Sequence, residues 1–579
     1  MRLARPLALP ALALCLVACG DPPPIEPDAH VEADDAAMEP PDAGSDAGRA
    51  DATLCEDLAL PRAEMRAGTG VQVGDVAGDF TVQTLAGPWH LADEWSGCDS
   101  YVFFTYFADR SGLGDALFSS LGNGAILRSP RNVHFFFSST ETDEAARAAR
   151  AQGLADQLEM AFEAIGAEEA DRVFWRERFH FVTDAAAEID GAPGDYLTEY
   201  LRFAATPEAN VDLGDRGVAG MMYPFIFAID RDQEWDSGDD LSPSVGQRPT
   251  FTMGQYFPRF YNYRWALEHR LAEETATTVV PLLDHETTTG RVFTRTVTLP
   301  AASTMTAFDT MEVDIEIDCR ARNMFACSEW DRIASVSLCV DGESCTERRE
   351  VARWITPYWR RGRQHYLIDA SPFLALLREG GAQTFFVELG PDWERATEWI
   401  AHVALRMQTR GDAPRATGAL LAFRGGTFDA TYNMREPVPF TVPATATRVE
   451  LVTILSGHGQ TDGDNCAEWC DHRHTFSVGG TALPTISHAS SAFTRESLIG
   501  SARGCAAMAD RGVIPGQGGN WAPTRAYWCP GMAVDAIRTD ITALVTPGTE
   551  TTLGYAGAFQ TIEPRGGDIA LSSYVVWYE

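Results

Sequence analysis

The amino-acid sequence predicts a multidomain protein in which a mixed α/β domain is followed by two all-β domains. With 579 residues, the chain is too long for a single hydrophobic core. Between residues 55 and 274, continuous apolar runs such as 101–106 and 133–137 alternate with helical stretches, which is typical of a sheet that contains parallel strands. From about residue 287 onward, strands of period two recur, and this pattern indicates antiparallel sandwiches or jelly rolls.

Residues 1–18 have the features of an export signal. Arg2 and Arg5 precede an apolar run that ends in Leu16-Val17-Ala18-Cys19 and is too short for a membrane-spanning helix. This ending resembles the lipobox of bacterial lipoproteins. The resemblance implies cleavage before Cys19, acylation of that thiol and lipid anchoring to the cell envelope, with the outer membrane as the expected location. The alternative is an ordinary signal peptide that is cut elsewhere.

Residues 19–54 are predicted to form the lipidated cysteine and a disordered acidic linker. Between Gly20 and Ala52, ten Asp or Glu residues accompany a single Arg, and the stretch has no aromatic residue. Such a composition buries too little apolar surface to fold. The whole chain carries a formal net charge of −36, which excludes nucleic acid as a partner because phosphate binding needs a cationic surface.

The cysteines fit an exported protein that contains disulfide bonds. Of the 12 cysteines, Cys15 belongs to the predicted signal and Cys19 to the lipid site, so 12 minus 2 leaves ten. Because exported proteins meet an oxidising environment, an even set indicates disulfides, and zinc is the alternative for close pairs. The predicted pairs are Cys55–Cys98, Cys319–Cys327, Cys339–Cys345, Cys466–Cys470 and Cys505–Cys529.

Residues 55–280 resemble the thioredoxin-like fold in the order of their strands and helices. The apolar run that begins at Tyr223 would place Pro224 at the position of the family's cis-proline. Residues 107–112, which follow the first apolar strand, contain no Cys-x-x-Cys pair and no other cysteine. The resemblance therefore implies a thioredoxin-like domain without a redox motif.

Three short motifs in the C-terminal half place acidic residues or arginine beside cysteine and tryptophan. An Asp or Glu that is held beside a disulfide can orient a polar substrate and transfer a proton. Arginine can stabilise the negative charge of a tetrahedral intermediate, and tryptophan offers an apolar face to a sugar ring. The motifs are Cys327-Ser328-Glu329-Trp330-Asp331-Arg332, Cys466-Ala467-Glu468-Trp469-Cys470 and Arg525-Ala526-Tyr527-Trp528-Cys529-Pro530-Gly531.

These motifs, in this order, resemble those of the peptide-N-glycosidase F family. The first motif and the later Trp354-Ile355-Thr356-Pro357-Tyr358-Trp359 resemble the first domain of that family, and the other two motifs resemble its second domain. The resemblance implies two eight-stranded jelly rolls, at residues 281–411 and 412–579. It also implies an amidase, without a cofactor or metal, that cuts the bond between an asparagine side chain and the N-acetylglucosamine of an N-linked glycan.

The resemblance assigns roles to individual residues, and N-glycosylated peptides or proteins are the implied partners. Asp331, Glu468 and, through a looser correspondence, Glu388 are the implied catalytic acids. Asp331 would activate water or contact the glycosyl amine, and Glu468 would orient the substrate or move a proton. The family has an acidic residue where Ser328 stands, so the contact to the first sugar is expected to differ. The implied substrate-binding residues are Trp330, Arg332, Arg525, Trp469, Trp528 and Ser328.

Two further functions are compatible with these residues. A lipoprotein that binds glycans and has lost its catalytic activity would keep the same site, and Ser328 favours this reading. A copper-dependent peptide monooxygenase is the other, since such enzymes also consist of two jelly rolls. His458, His472 and His474 would be its ligands, because a His-x-His pair on a strand presents both rings on one face.

Overall fold

The computed structural model describes a large part of the chain, and the residues from Arg49 to Glu579 form one compact unit. The predicted signal, Cys19, nearly all of the acidic linker, and Pro224 lie outside the described residues. Within the described ranges, no helix has the length and apolarity needed to cross a lipid bilayer. The described residues are 52–107, 112–204, 226–238, 241–242, 247–321, 327–328, 330–391, 398–411, 414–459, 466–487, 503–559 and 566–579.

The N-terminal domain has helices on a mixed sheet. Its helices are α1 Ala52–Asp57, α2 Leu91–Glu94, α3 Leu113–Phe118, α4 Glu144–Ile165, α5 Glu169–Arg178, α6 Ala192–Ala204 and α7 Tyr256–Glu273. Its strands are β1 Phe80–Thr84, β2 Gly87–His90, β3 Ser100–Tyr106, β4 Val133–Ser139, β5 Phe179–Ala185, β6 Asp190–Gly191, β7 Ile226–Ile229 and β8 Trp235–Ser237. The strand order is β2-β1-β5-β4-β3-β7-β8, and β6 pairs with β1.

The central strands of this sheet are parallel and fully buried. Every residue of β3 and β4 is buried, which fits strands that are covered by helices on both faces. β3, β4 and β5 run parallel, whereas β7 and β8 are antiparallel. Helix α4 begins where the Asp143 side chain accepts from two backbone N–H groups and ends at Gly166 in the left-handed conformation. The α/β prediction is confirmed, and its thioredoxin-like character stays a prediction.

The first sandwich consists of two antiparallel sheets that share a buried core. Its elements are β9 Thr278–Thr288, β10 Val292–Ala301, α8 Ala302–Met305, β11 Thr310–Cys319, β12 Ile333–Cys339, β13 Arg348–Ile355, β14 Gly362–Asp369, β15 Gly380–Glu388 and β16 Trp399–Gln408. One sheet has the order β10-β15-β12-β13 and the other β14-β11-β16-β9. Alternating apolar residues such as Val313, Val336 and Leu405 fill the core.

The second sandwich has a similar construction. Its elements are β17 Ala416–Thr427, β18 Val438–Phe440, β19 Arg448–His458, α9 Cys466–Trp469, β20 His472–Val478, β21 Thr481–Ala482, β23 Ile537–Asp540, β24 Thr551–Phe559 and β25 Asp568–Tyr578. The short strand β22 Met532–Ala533 precedes β23 in the chain and pairs with the first sandwich. Its sheets have the orders β17-β25-β19-β23 and β18-β24-β20-β21. The antiparallel pairings of both sandwiches are consistent with the predicted jelly rolls. Short 3₁₀ helices complete the fold at Leu121–Asn123, Ala125–Arg128, Ala186–Glu188, Phe251–Gln255, Gly342–Ser344, Ser371–Leu376, Ala506–Arg511 and Thr542–Leu544.

The sheet that contains β25 is buried on both faces. Val575 packs in the core of the second sandwich, whereas its neighbour Tyr574 packs against the first. The Tyr574 ring lies 5.0 Å from that of Phe373, and its hydroxyl donates to the Glu350 carbonyl at 2.8 Å. The two sandwiches therefore share an extensive interface.

Residues 503–536, which the predicted boundaries place in the second sandwich, also contact the other two domains. Ile514 and Trp521 are buried in the core that the N-terminal domain and the first sandwich share. Strand β22 pairs with β13, with Met532 opposite Ile355, and so extends a sheet of the first sandwich. We call residues 503–536 the crossing segment. Ala526 and Tyr527 of this segment pack in the core of the second sandwich, so the segment contacts all three domains.

The described disulfides match the prediction. The structure contains the predicted pairs Cys55–Cys98, Cys319–Cys327, Cys339–Cys345 and Cys505–Cys529. Cys470 is also disulfide-bonded, and the side chain of its predicted partner, Cys466, lies outside the described part of the chain.

The interface between the sandwiches leads to a prediction about stability. Arg353 is buried; it donates to both carboxylate oxygens of Glu350 at 2.7 Å and to the Ser456 hydroxyl at 2.9 Å. Arg353→Met should lower the free energy of unfolding by about 3–5 kcal/mol, because it leaves Glu350 unpaired. Arg349→Met, which removes a pair with the exposed Glu347, should cost no more than about 1 kcal/mol. Urea unfolding measures both variants, and equal losses would contradict this view of the interface.

Candidate active site

Two loops of the first sandwich hold the predicted catalytic residue Asp331. The Thr356 N–H donates to the Arg332 carbonyl at 2.9 Å, and the Trp359 N–H donates to the Ser328 carbonyl at 2.7 Å. The Thr356 hydroxyl also accepts from the Arg332 N–H at 2.8 Å. These bonds fix the segment around Asp331 just before β12 begins.

Tyr358 and Arg525 both contact one oxygen of Asp331. The Tyr358 hydroxyl donates to Oδ2 at 2.7 Å and accepts from Nη2 of Arg525 at 2.9 Å. The same Nη2 lies 3.4 Å from Oδ2. The Asp331 side chain is 12% exposed, so the carboxylate is largely removed from water but still reachable.

Glu468 reaches the same arginine from the second sandwich. It lies in the short helix α9, and its main-chain carbonyl accepts from the Ala526 N–H at 2.8 Å. Its Oε1 lies 3.5 Å from Nε of Arg525, and its side chain is 14% exposed. One guanidinium therefore connects two carboxylates that belong to different sandwiches.

Arg525 is held rigidly by main-chain carbonyls and an aromatic ring. Its guanidinium donates to the carbonyl of Pro523 at 2.8 Å and to that of Asn520. The guanidinium carbon lies 4.6 Å from the centre of the Trp469 ring. The side chain is 0% exposed. The buried guanidinium thus lies near both acids, and the substrate-binding role of Arg525 stays a prediction.

Burial shifts the pKa of both acids toward their neutral forms, and the charge of Asp331 adds to the shift of Glu468. Burial raises the pKa of Asp331, while Arg525 and the Tyr358 hydroxyl act in the opposite direction. For Glu468, burial and the nearby charge of Asp331 raise the pKa to about 7, against the opposing effect of Arg525. Burial also raises the pKa of Tyr358 well above its ordinary value, so this phenol stays protonated. Near neutral pH the pair can both accept and donate a proton.

The other predicted substrate-binding residues differ in their exposure. Trp330 is 45% exposed, and its ring centre lies 6.4 Å from that of Trp359. Trp469 is half-buried. Trp528 is buried, and its Nε1 donates to the Gly457 carbonyl at 2.6 Å. The Trp528 indole therefore packs inside the site, and its substrate-binding role stays a prediction.

Two remaining predictions concern Ser328 and Glu388. The Ser328 side chain is buried, and its hydroxyl donates to the Trp330 carbonyl at 3.1 Å. In this structure Ser328 shapes the turn that presents Trp330. Glu388 ends strand β15 and pairs in register with Ser335 of β12. Glu388 thus lies in the same sheet as β12, the strand that follows Asp331. The contacts described above connect the other two predicted acids, Asp331 and Glu468, through Arg525.

Three residues of these loops have strained backbone conformations. Ser328, Trp359 and Tyr527 adopt positive φ values of 32°, 40° and 70°. Such values are costly for residues with a side chain and persist only when the surrounding structure enforces them. All three residues lie in the segments that hold Asp331, Tyr358 and Arg525, which marks this region as one of enforced geometry.

The N-terminal domain contacts the loop that carries Tyr358, which we call the Tyr358 loop. Arg360, two residues after Tyr358, is buried, and its Nη2 donates to Oδ2 of Asp236 at 2.6 Å and to Oδ1 at 2.8 Å. The crossing segment supports the same loop, because the Tyr358 N–H donates to Oε1 of Gln517 at 3.0 Å. Sequence patterns missed these contacts, since no motif relates Asp236 or Gln517 to a residue so far away in the chain.

Two of the three candidate copper ligands, His472 and His474, form a buried hydrogen-bond chain, whereas Nε2 of His458 lies 2.7 Å from the Ser456 hydroxyl. Nε2–H of His472 donates to the Ala467 carbonyl at 2.9 Å, and its Nδ1 lies 2.6 Å from Nε2 of His474. Nδ1 of His474 lies 2.7 Å from the Tyr555 hydroxyl. Every ring nitrogen of this pair has a partner, so neither ring presents a lone pair to a metal ion. The geometry of these two histidines therefore does not support the hypothesis of a copper-dependent monooxygenase.

Fold and site together define a protein with two β-sandwiches that share one acidic site, preceded by an α/β domain. Residues 428–576 match the family described as "Peptide-N-glycosidase F, C terminal". The C-terminal half of the chain is therefore similar to the peptide-N-glycosidase F family, as its sequence motifs predicted.

Several known proteins are similar to parts of the chain. Over 304 residues the chain is 29% identical to peptide-N(4)-(N-acetyl-beta-D-glucosaminyl)asparagine amidase F of Elizabethkingia miricola, across 48% of this chain and 77% of that protein. The solved structure of PNGase F from Flavobacterium meningosepticum is 23% identical, covers 52% of this chain and 96% of its own, and has a TM-score of 0.39. PNGF-II is 11% identical, covers 54% and 67%, and has a TM-score of 0.40.

The raised pKa of Glu468 predicts how stability depends on pH. Between the ordinary value of 4.5 and about 7, the folded chain keeps a proton that the unfolded chain releases. Stability should therefore fall as pH rises through this window, on the order of 3 kcal/mol in total. Urea unfolding at about pH 5 and pH 7 should show this loss, and Glu468→Gln should reduce it. Glu550→Gln changes an exposed residue and is the control, so it should leave the pH dependence of stability as in the wild type. An unchanged pH dependence in Glu468→Gln would contradict the assignment of the raised pKa to Glu468.

Proposed function

We propose that this protein is an amidase that hydrolyses the bond between an asparagine side chain and N-acetylglucosamine in N-glycosylated peptides or proteins. The observation that carries the proposal is the pair of carboxylates, Asp331 and Glu468, that one buried arginine connects across the two sandwiches. The relative from Elizabethkingia miricola, whose name describes this activity, supports the choice of substrate bond.

In the first step, Asp331 would act as the base. Tyr358 and Arg525 both contact Oδ2, and we assign Oδ1 as the atom that takes a proton from water. The water oxygen forms a bond to the carbonyl carbon of the asparagine side chain. Negative charge develops on the carbonyl oxygen, and Arg332, beside Asp331 in the chain, is the candidate donor to it.

In the second step, Glu468 would act as the acid. Because its pKa is raised to about 7, a substantial fraction of this group is protonated near neutral pH. The carbon–nitrogen bond breaks, and the departing glycosylamine nitrogen takes the proton of Glu468. The products are an aspartate side chain and a glycan that carries an amine. Loss of a proton from Asp331 and gain of one by Glu468 restore the starting state.

Trp330 would contact the sugar. Its side chain is 45% exposed beside Asp331, and an indole face can cover the apolar face of a pyranose ring. Ser328 is uncharged at the position where the family has an acidic residue, so sugar binding would depend more on the aromatic face than on charge.

We also propose that the protein is exported and anchored by lipid through Cys19. The sequence Leu16-Val17-Ala18-Cys19 supports this proposal. The acidic linker that follows would separate the enzyme from the membrane surface.

Mass spectrometry of a denatured N-glycopeptide tests the activity. The wild-type protein should release the glycan and convert the attachment asparagine to aspartate. Asp331→Asn should abolish this conversion, because the amide cannot take a proton from water. Glu347→Gln, which changes an exposed acid of the same sandwich, should keep full activity.

An intact glycopeptide after prolonged incubation with wild-type protein would overturn the amidase proposal. If the wild-type protein nevertheless bound the intact glycopeptide, and the Asp331→Asn variant bound it equally well, the hypothesis of a glycan-binding protein would replace the amidase proposal.

The support of the Tyr358 loop predicts a remote effect on the rate. Asp236→Asn should reduce kcat about 10–100-fold with little change in KM, because the loop shifts once Arg360 loses its carboxylate. Asp232→Asn, at the same interface but 3.9 Å from its arginine, is the matched control and should keep kcat. Kinetics at a temperature where circular dichroism shows both variants folded makes the comparison. An unchanged kcat with a lower Tm would show that Asp236 stabilises the interface only.

A further inference from the structure

A cluster of two histidines and one aspartate lies on the first sandwich, away from the acidic site. It consists of Asp284 and His285 on β9 and His402 on the neighbouring strand β16. Oδ1 of Asp284 lies 3.2 Å from Nδ1 of His285 and 3.6 Å from Nδ1 of His402. All three candidate ligand atoms lie within 4.8 Å of one another.

A β-bulge brings these side chains together. Leu283 pairs with Val403 and Glu286 with Ala401, so both Asp284 and His285 stand opposite the single residue His402. In a regular strand, neighbouring residues point to opposite faces of the sheet. The extra residue and the positive φ of His285, 49°, turn its side chain to the same side as Asp284. A strained non-glycine residue in a bulge often marks a functional position.

We propose that Asp284, His285 and His402 form a binding site for a divalent transition metal ion, of which Zn²⁺ is the representative. Zn²⁺ binds imidazole nitrogen and carboxylate oxygen at about 2.0–2.2 Å in tetrahedral geometry, which separates neighbouring ligand atoms by roughly 3.3–3.6 Å. The two distances from Asp284 match this separation. Imidazole donors disfavour Mg²⁺ and Ca²⁺, which prefer oxygen.

The surroundings agree with a cationic ligand. Nδ1 of His402 is buried and has no hydrogen-bond partner among the described residues. Glu316 stands directly opposite His402 on β11 and adds negative charge. Asp284 and His285 have side chains that are 72% and 58% exposed, so an ion can enter from solvent and water can complete its coordination. The bound ion would connect the edge strand β9 to β16 where the chain enters the first sandwich.

Calorimetric titration of the metal-free full chain with Zn²⁺ tests the site. The wild-type protein should bind one ion through this site, and Mg²⁺ should not compete. His285→Asn should weaken Zn²⁺ binding by at least about 10–100-fold, since losing a ligand costs no less than losing a group that orients one. Asparagine tolerates positive φ, so this variant keeps the bulge. His402→Ala should cause a similar loss.

His90→Ala is the matched control. His90 also lies beside two aspartates, but its Nε2 faces Asp79 at 2.7 Å and its Nδ1 faces Asp93 at 3.0 Å, so the two acids lie on opposite sides of the ring. This control should bind Zn²⁺ as the wild type does. Zn²⁺ should also raise the Tm of the wild type and of His90→Ala, but not of His285→Asn. Equal binding by wild type, His285→Asn and His402→Ala would overturn the proposal, as would a loss confined to His90→Ala.

Discussion

The interaction on which the site depends is the double ion pair of Arg525. Two carboxylates at close range repel each other, and burial strengthens that repulsion because water no longer screens it. A guanidinium between Asp331 and Glu468 lets both remain near one another while one of them keeps a raised pKa of about 7. The arginine must be fixed for this to work, and the main-chain carbonyls of Asn520 and Pro523 fix it. The crossing segment therefore serves the chemistry as well as the packing.

The N-terminal domain is part of this arrangement. Asp236 pairs with Arg360 in a buried contact, and Arg360 belongs to the loop that carries Tyr358. A buried ion pair contributes little net stability, but it specifies one geometry strongly, because a shift would leave a charge unpaired. The contact thus gives the α/β domain a physical role in the site, whatever its fold family.

Local patterns predicted the parts of this protein that depend on local physics. Period-two alternation gave strands such as β11, and cysteine spacing gave close pairs such as Cys339–Cys345. The acids Asp331 and Glu468 were found because cysteine and tryptophan surround them in the chain. The positions of Arg525 and Trp528 inside the site, and the contact of Tyr358 with Asp331, were not predictable in this way. They result from the crossing segment, whose path is set by packing between residues far apart in the sequence.

The crossing segment also has a consequence for how the site forms during folding. The strands that hold Asp331 and Tyr358 are complete by residue 408, whereas Glu468 and Arg525 come from the last quarter of the chain. A chain emerging from its N-terminus can fold the first two domains in order, since domains generally fold as units. At that stage Asp331 has neither its arginine nor its partner acid. The complete acidic site thus forms only when the C-terminal part has packed against both earlier domains, so a chain that lacks this part carries half of the site.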